Sequence, residues 1–323
     1  MRELTFLEAI REAQEQEMAR DPRVFILGED VSFNVYGSTG GLADRFGLER
    51  VRDTPISESG FTGVAIGAAL VGMRPIVDFT IASFMYLAMD QLVSMAAKTA
   101  YMYGGQAHVP AVFRAALFYN GGLAAQHSDR NYAMFMQVPG LKIAVPSTPY
   151  DAKGLLKTAV RDDDPVLIFE DGALWGSRGE VPLDDYLIPF GQAVVRREGS
   201  DLTVVAIGSR VREALTAADT LAREGISLEV IDPRTLVPLD RPTILESVAK
   251  TGRALVVDVG HKSCGVAGEI LATIAEDGFW SLRAPLRRLT APDMQIPFSP
   301  ALEKGFYPDA AQIVDAARRL VRE

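Results

Sequence analysis

Only one cysteine, Cys264, occurs in the 323 residues. No internal disulfide can form, and the chain suits a reducing compartment. Histidine is nearly as scarce: His108, His127 and His261 are the full set. With no His-x-x-x-His and no Cys-x-x-Cys, no short-range metal site is spelled out. Basic clusters are missing too. The 33 Lys and Arg face 42 Asp and Glu, for a net charge of −9, which argues against nucleic acid or an anionic membrane as partner. The longest apolar run, Phe61 to Met73, falls short of the roughly 20 residues that span a bilayer. Charges interrupt the N-terminal stretch MRELTFLEAIREAQEQEMAR throughout, so it does not read as a secretory signal. There is no P-loop, and neither GGLADRFG nor GVAIGAALVG is a dinucleotide fingerprint behind a strand. The expectation is a cytoplasmic protein that lacks its own diphosphate cradle.

What is present is ample material for a core, since 48% of the residues are hydrophobic. At about 150 residues per domain, the length implies roughly two domains. Thr5 and Glu8 form a capping-box pattern that opens a helix over 5–20, with Phe6, Leu7, Ile10 and Ala13 near one face. VFILG, PIVDF, AVFRAAL, LKIAV and PVLIFE read as short buried strands, alternating with helices at 83–100 and YDAKGLLKTAVR. That alternation indicates an α/β fold with a largely parallel sheet. A Gly- and Pro-containing stretch over 171–185 reads as a connection. Beyond it LTVVAIGS, SLEVID and ALVVDVG alternate with helices, the last of them near 309–322. The reading is two α/β domains, 1–185 and 186–323, with no repeat of 20–50 residues.

Two places carry candidate chemistry. Glu58, in SESG, stands before the small-residue helix FTGVAIGAALVGM. As an isolated pattern it is an ordinary helix N-terminal carboxylate or a functional acid. The small residues at 60, 63, 67 and 68 allow close backbone approach, either inside the domain or to another chain. His127, in NGGLAAQHSDRN, lies on a Gly-rich stretch between a strand and a helix, where α/β sheets place ligands. It reads equally as a solvated loop histidine.

Taken together and in order, GEDV, DTPISESGFTGVAIGAALVGMRPIVDF, MDQLVSMAAKTAYMYGG, AAQHSD, PGLKIAVPSTPYDAKGLLKTAVRDDDPV and IDPRTLVPLD resemble one family. It is the β subunit of the thiamine-diphosphate-dependent E1 component of 2-oxo acid dehydrogenase complexes, of the pyruvate, branched-chain 2-oxo acid and acetoin types. The resemblance covers essentially the whole chain. It implies a transketolase-like pyrimidine-binding domain followed by a transketolase C-terminal domain. It also implies a cofactor site shared with an α subunit in an α2β2 heterotetramer. The α chain carries the Gly-Asp-Gly diphosphate motif and its Mg²⁺, and this chain has no Gly-Asp-Gly.

By the same resemblance, Glu58 is the acid that relays a proton to the cofactor's aminopyrimidine. Phe84 packs on the pyrimidine ring, and Glu29 of GEDV is a second acid beside the cofactor. His127 stands at the active-site mouth, suited to protonating the departing sulfur of a lipoyl group on an E2 acyltransferase. A structural K⁺ is implied at Ala111, Ala159, Val160, Asp162 and Asp164. Two stretches depart from the family pattern. Leu117, Phe118 and Tyr119 replace small residues in a loop expected to border the substrate channel, and GHKSCGVAGE (260–269) replaces a Gly-Gly-Trp-like turn. The departures keep two other readings in view: the β chain of an acetoin dehydrogenase or of a stand-alone acyloin-forming carboligase, and a non-catalytic partner chain.

Overall fold

The computed structural model describes residues 1–118 and 121–323. Two compact units result. The first joins Met1–Phe118 to His127–Phe190; the second is Gly191–Glu323 with the loop residues 121–126.

In the first unit the strands lie side by side in the order Lys142–Ala144, Val166–Asp171, Val112–Leu117, Arg74–Ile81, Val24–Gly28 and Val51–Asp53, all parallel. Val24–Gly28, Val112–Leu117 and Val166–Asp171 are buried at every position. Such burial along whole, mostly apolar strands is the mark of a parallel sheet covered on both faces. Helix Phe6–Arg20 opens on a capping box: Thr5 N donates to the Glu8 carboxylate at 2.7 Å, and Glu8 N donates to the Thr5 hydroxyl at 3.2 Å. It packs on helix Pro149–Arg161. Two fully buried lysines lie in that contact: Lys153 donates to Glu12 at 2.8 Å and Lys157 to Gln16 at 2.7 Å. Arg161 grips Glu17 at 2.6 Å and Asp185 at 3.0 Å.

The stretch read as a connection, placed within 1–185, has structure of its own, and the first unit runs on to Phe190. Arg178–Val181 pairs antiparallel with Arg2–Thr5. Asp185 is held by Lys157 and Arg161, and Tyr186 stacks on Tyr150 at 4.6 Å between ring centroids. The second unit has the strand order Arg287–Ala291, Ala254–His261, Leu202–Ala206, Leu228–Asp232 and Val194–Arg197, the last antiparallel. Helices Arg210–Ala222 and Ala310–Arg322 cover one face through Val211, Ala214, Leu221, Ile313 and Leu320.

The helix expected over 83–100 is not a single helix. It is a 3₁₀ segment Ala82–Ala88, a π-helical segment Asp90–Ala96 and an α-turn Thr99–Met102. Thr80 enters it in the left-handed region, at φ 63°. Asn131 Nδ2 then donates to Ala82 O at 2.7 Å, drawing on a carbonyl that a regular α-helix would use internally. Ala97 N reaches back to Leu92 O at 3.1 Å, the wider i→i+5 bond. Among the described residues no helix is long and apolar enough to cross a membrane.

Register brings the strand ends into line: Gly28 is opposite Asp53 and Asp78, and Asp78 is opposite Arg114. The segments leaving these C-terminal ends carry Glu29, Glu58, Phe84 and, after the 119–126 excursion, His127. This is the end of a parallel sheet where ligands gather.

Candidate active site

Glu58 is the first residue of helix Glu58–Leu70, and only 5% of it is exposed. Ser57, at the N-cap, makes no capping bond. The outward face of the helix consists of Gly60, Gly63, Val64, Gly67 and Leu70, all exposed. A Cβ at Gly67 would meet nothing within 4 Å, and one at Gly63 would meet only Gln91 Cγ at 4.0 Å. Packing within the chain therefore does not account for the missing side chains. Val64 is 64% exposed and Val71 is 81% exposed, so the stripped face is also apolar.

Glu29 directly follows strand Val24–Gly28. Burial pushes its carboxyl above the ordinary range, and the charges of Glu58 and Asp30 push it further. Its Oε1 is buried with no hydrogen-bond partner among the described residues. Glu29 also lines a cavity of about 20 Å³ with Asp30, Tyr36, Asp78 and Thr80, about the space of one water molecule.

Phe84 and His127 meet edge to face, with ring centroids 5.6 Å apart and planes at 78°. Both are half-buried, so each ring keeps an open side. The bond from Asn131 to Ala82 O ties the histidine-bearing segment to the segment that carries Phe84. Next to them, burial pushes the Tyr86 hydroxyl up to about 12, with the Asp129 charge adding to the effect.

Beneath the acids, buried Arg114 donates to both oxygens of Glu170, at 2.7 and 2.8 Å, and to Asp78 from its other side. A bidentate pair of this kind holds three adjacent strands in one geometry. Reading the sequence missed Arg114, Tyr86 and Asn131. A charged residue inside the apolar run AVFRAAL is the signal that could have found the first; the other two leave none.

The residues expected around K⁺ lie at the opposite ends of the strands. Strand Arg74–Ile81 has eight residues, or roughly 25 Å at about 3.3 Å each. Arg74 Nη1 donates to Val160 O at 3.0 Å and to Asp162 O at 2.8 Å. Lys142 Nζ holds the Asp162 and Asp164 carboxylates at 2.8 and 3.1 Å. Ala111 O accepts from Val166 N at 3.0 Å, and Ala159 O from Asp162 N at 3.3 Å. Each carbonyl keeps a second lone pair, and the C-terminus of helix Pro149–Arg161 adds its negative dipole end. Oxygen donors of this type suit a hard cation.

The departing loop is only partly where it was expected. Leu117 is 1% exposed inside its strand, so it borders no channel. Its side chain belongs to the alternating packing of a sheet buried on both faces. Phe118 packs edge-on against Trp175 at 4.8 Å and lies 5.3 Å from Tyr36. Tyr119 falls outside the described residues. In the other departing stretch, Cys264 is exposed and takes φ 54°.

Comparison with known proteins identifies the domains and the family. Residues 2–175 match the transketolase pyrimidine binding domain, and residues 191–313 match the transketolase C-terminal domain. The chain is 46% identical to the β subunit of acetoin:2,6-dichlorophenolindophenol oxidoreductase from Cupriavidus necator, over 99% of this chain and 98% of that one. It is also 46% identical to the 2-oxoisovalerate dehydrogenase β subunit of Bacillus subtilis, over 98% of each. With the pyruvate dehydrogenase E1 component β subunit of Rhizobium meliloti it shares 43%, over 98% of this chain and 70% of the other. In fold it is similar to an inactive β4 tetramer of a split-gene transketolase, with TM-score 0.81 and 23% identity over 99% and 98% of the two chains.

The Glu29 environment has a pH signature. The folded chain holds this proton to higher pH than the unfolded chain does, so between the two pKa values stability falls as pH rises. Glu29→Gln removes that loss. The variant's melting temperature should match wild type near the ordinary carboxylate range and exceed it increasingly as pH rises above that range. A pH-independent difference in a thermal-shift series would contradict the buried, charge-crowded placement.

Proposed function

The chain belongs to the β subunits of the thiamine-diphosphate-dependent E1 components of 2-oxo acid dehydrogenases, and from that premise we propose that Glu58, Glu29, Phe84 and His127 are its working residues. The observation that carries the proposal is the convergence of all four at the C-terminal ends of adjoining parallel strands, beside a helix face left exposed among the described residues.

These residues fit the cofactor. The orphaned Glu29 oxygen and the half-buried Phe84 ring offer a polar and an aromatic contact. When bound, thiamine diphosphate supplies the electron sink that lets a 2-oxo acid lose carbon dioxide. Glu58, buried and at a helix head, gives and takes a proton at N1′ of the aminopyrimidine. Glu29, whose carboxyl is held toward its neutral form, limits the negative charge gathered around Glu58. Phe84 presents a ring face to the pyrimidine. His127, set edge-on by Phe84, delivers a proton to the sulfur of an E2 lipoyl acceptor. With no Gly-Asp-Gly of its own, the chain leaves the diphosphate and Mg²⁺ to the α subunit, and the proposed assembly is α2β2. The exposed glycine face of helix Glu58–Leu70 is the surface proposed to pack on a partner chain, placing Glu58 at the contact.

The test is co-expression with the α subunit, then assay on a panel of 2-oxo acids with either a lipoyl domain or an artificial oxidant as acceptor. Glu58→Gln should lower both activities by about 10² or more, in the range of lost acid–base catalysis, while the heterotetramer stays intact. His127→Ala should reduce lipoyl acylation more than turnover with the artificial oxidant. Full turnover by Glu58→Gln, or equal loss in both assays for His127→Ala, would remove the assigned roles.

For the K⁺ position the proposal is structural. The carbonyls of Ala111, Ala159, Val160, Asp162 and Asp164 supply the ligands, and Arg74 and Lys142 brace them. The assembled protein should then melt at a higher temperature in potassium chloride than in sodium chloride at equal ionic strength. Identical melting in the two salts would count against the ion.

A further inference from the structure

Several arginines and lysines of the second unit are paired with carboxylates. Arg287 reaches Glu323 at 3.3 Å, Arg318 reaches Glu224 at 2.6 Å, and Lys250 reaches Glu198 at 3.1 Å. Lys262, Arg288 and Arg319 are set apart by where they lie. None of them makes an ion pair among the described residues, yet all three line one cleft of about 470 Å³. The carboxylates nearby are already engaged. Asp315, also in the lining, is bound by Arg318 at 3.2 Å. Asp293, which feels the Lys262 charge, accepts from Ser263 N at 2.8 Å and from Ser263 Oγ at 2.7 Å.

Two features bear on the arginines of the cleft. Arg319 Nε donates to Asp315 O at 3.2 Å. At Gly268, inside helix Val266–Asp277, an added Cβ would stand 3.2 Å from Arg288 Nη1. The glycine, which costs a helix interior about 1 kcal/mol, leaves room for that guanidinium. The cleft also has apolar walls, among them Leu289 and the largely buried Phe306.

We propose that this cleft binds a phosphorylated small molecule with an apolar or aromatic body, such as a nucleoside diphosphate. Three uncommitted cations on a chain of net charge −9 call for a multiply charged anion. Guanidinium groups match phosphate oxygens in pairs, which a single carboxylate uses less fully. The volume falls within the roughly 300–1,000 Å³ of small-ligand sites. None of Glu29, Glu58, Phe84 and His127 lines the cleft, so it is a second site, independent of the proposed chemistry.

Isothermal titration of the full chain with ADP at fixed ionic strength tests this, with adenosine and inorganic pyrophosphate as part-ligands. Wild type should bind one ADP per chain, pyrophosphate more weakly and adenosine weaker still. Arg288→Gln combined with Arg319→Gln should weaken ADP binding by about tenfold or more, equivalent to about 1.4 kcal/mol. Circular dichroism checks that this variant folds. The single change Lys262→Gln, at an exposed position, provides a second measurement and should also weaken binding. Glu58→Gln should leave it unchanged. The proposal is overturned if wild type gives no ADP heat, if the charge variants bind as wild type does, or if Glu58→Gln abolishes binding.

Discussion

The account depends on one arrangement: a carboxylate buried at the head of a helix whose outer face the chain leaves bare. Glu58 is only 5% exposed at the first position of its helix. The following helix then gives up side chains at Gly63 and Gly67, although among the described residues only Gln91 Cγ, 4.0 Å from a Cβ at Gly63, comes near either. Glycine in a helix interior is unfavourable by about 1 kcal/mol against alanine. Two such positions on an exposed apolar face make sense when another surface approaches closely. In the proposed assembly both features are needed together, because the chain proposed to pack on the helix would also bring the rest of the cofactor site to Glu58.

The sheet supplies the rigidity behind this. Parallel strands in register put Glu29, Glu58, Phe84 and His127 on segments leaving one end. Arg114, locked between Glu170 and Asp78, keeps the strands below them from shifting. Removing one partner of a buried ion network leaves an uncompensated charge, so the network specifies geometry more than it adds stability. At the opposite strand ends Arg74 and Lys142 gather carbonyls and carboxylates around themselves. Chemistry at one end and bracing at the other is the ordinary division of labour in an open α/β sheet.

Much of this was legible in the sequence. Strands such as VFILG and PVLIFE were readable because a sheet covered on both faces demands unbroken apolar runs. The helix at Thr5 was readable because a capping box is a local code. Glu58, Glu29, Phe84 and His127 came from the family resemblance, since no single one of their motifs is decisive. What stayed hidden depended on contacts distant in sequence. The break of the 83–100 segment into 3₁₀ and π turns rests on Asn131, almost fifty residues away. The strand within 171–185, read only as a connection, rests on pairing with the N-terminal strand, and the stretch is held by Lys157 and Arg161. The burial of Leu117 follows from the length of its strand, a boundary that pattern reading places poorly.

The most direct test of the central claim is a substitution that fills the bare face without touching Glu58. Gly67→Leu adds a side chain where the chain has open space and improves helix propensity. Co-purification with the α subunit, combined with thiamine diphosphate binding, is the measurement. The account predicts a β chain that folds and melts at least as high as wild type when alone, yet fails to retain the α subunit and the cofactor. An intact heterotetramer with wild-type cofactor affinity would contradict it, because the glycine face would then have no partner to accommodate.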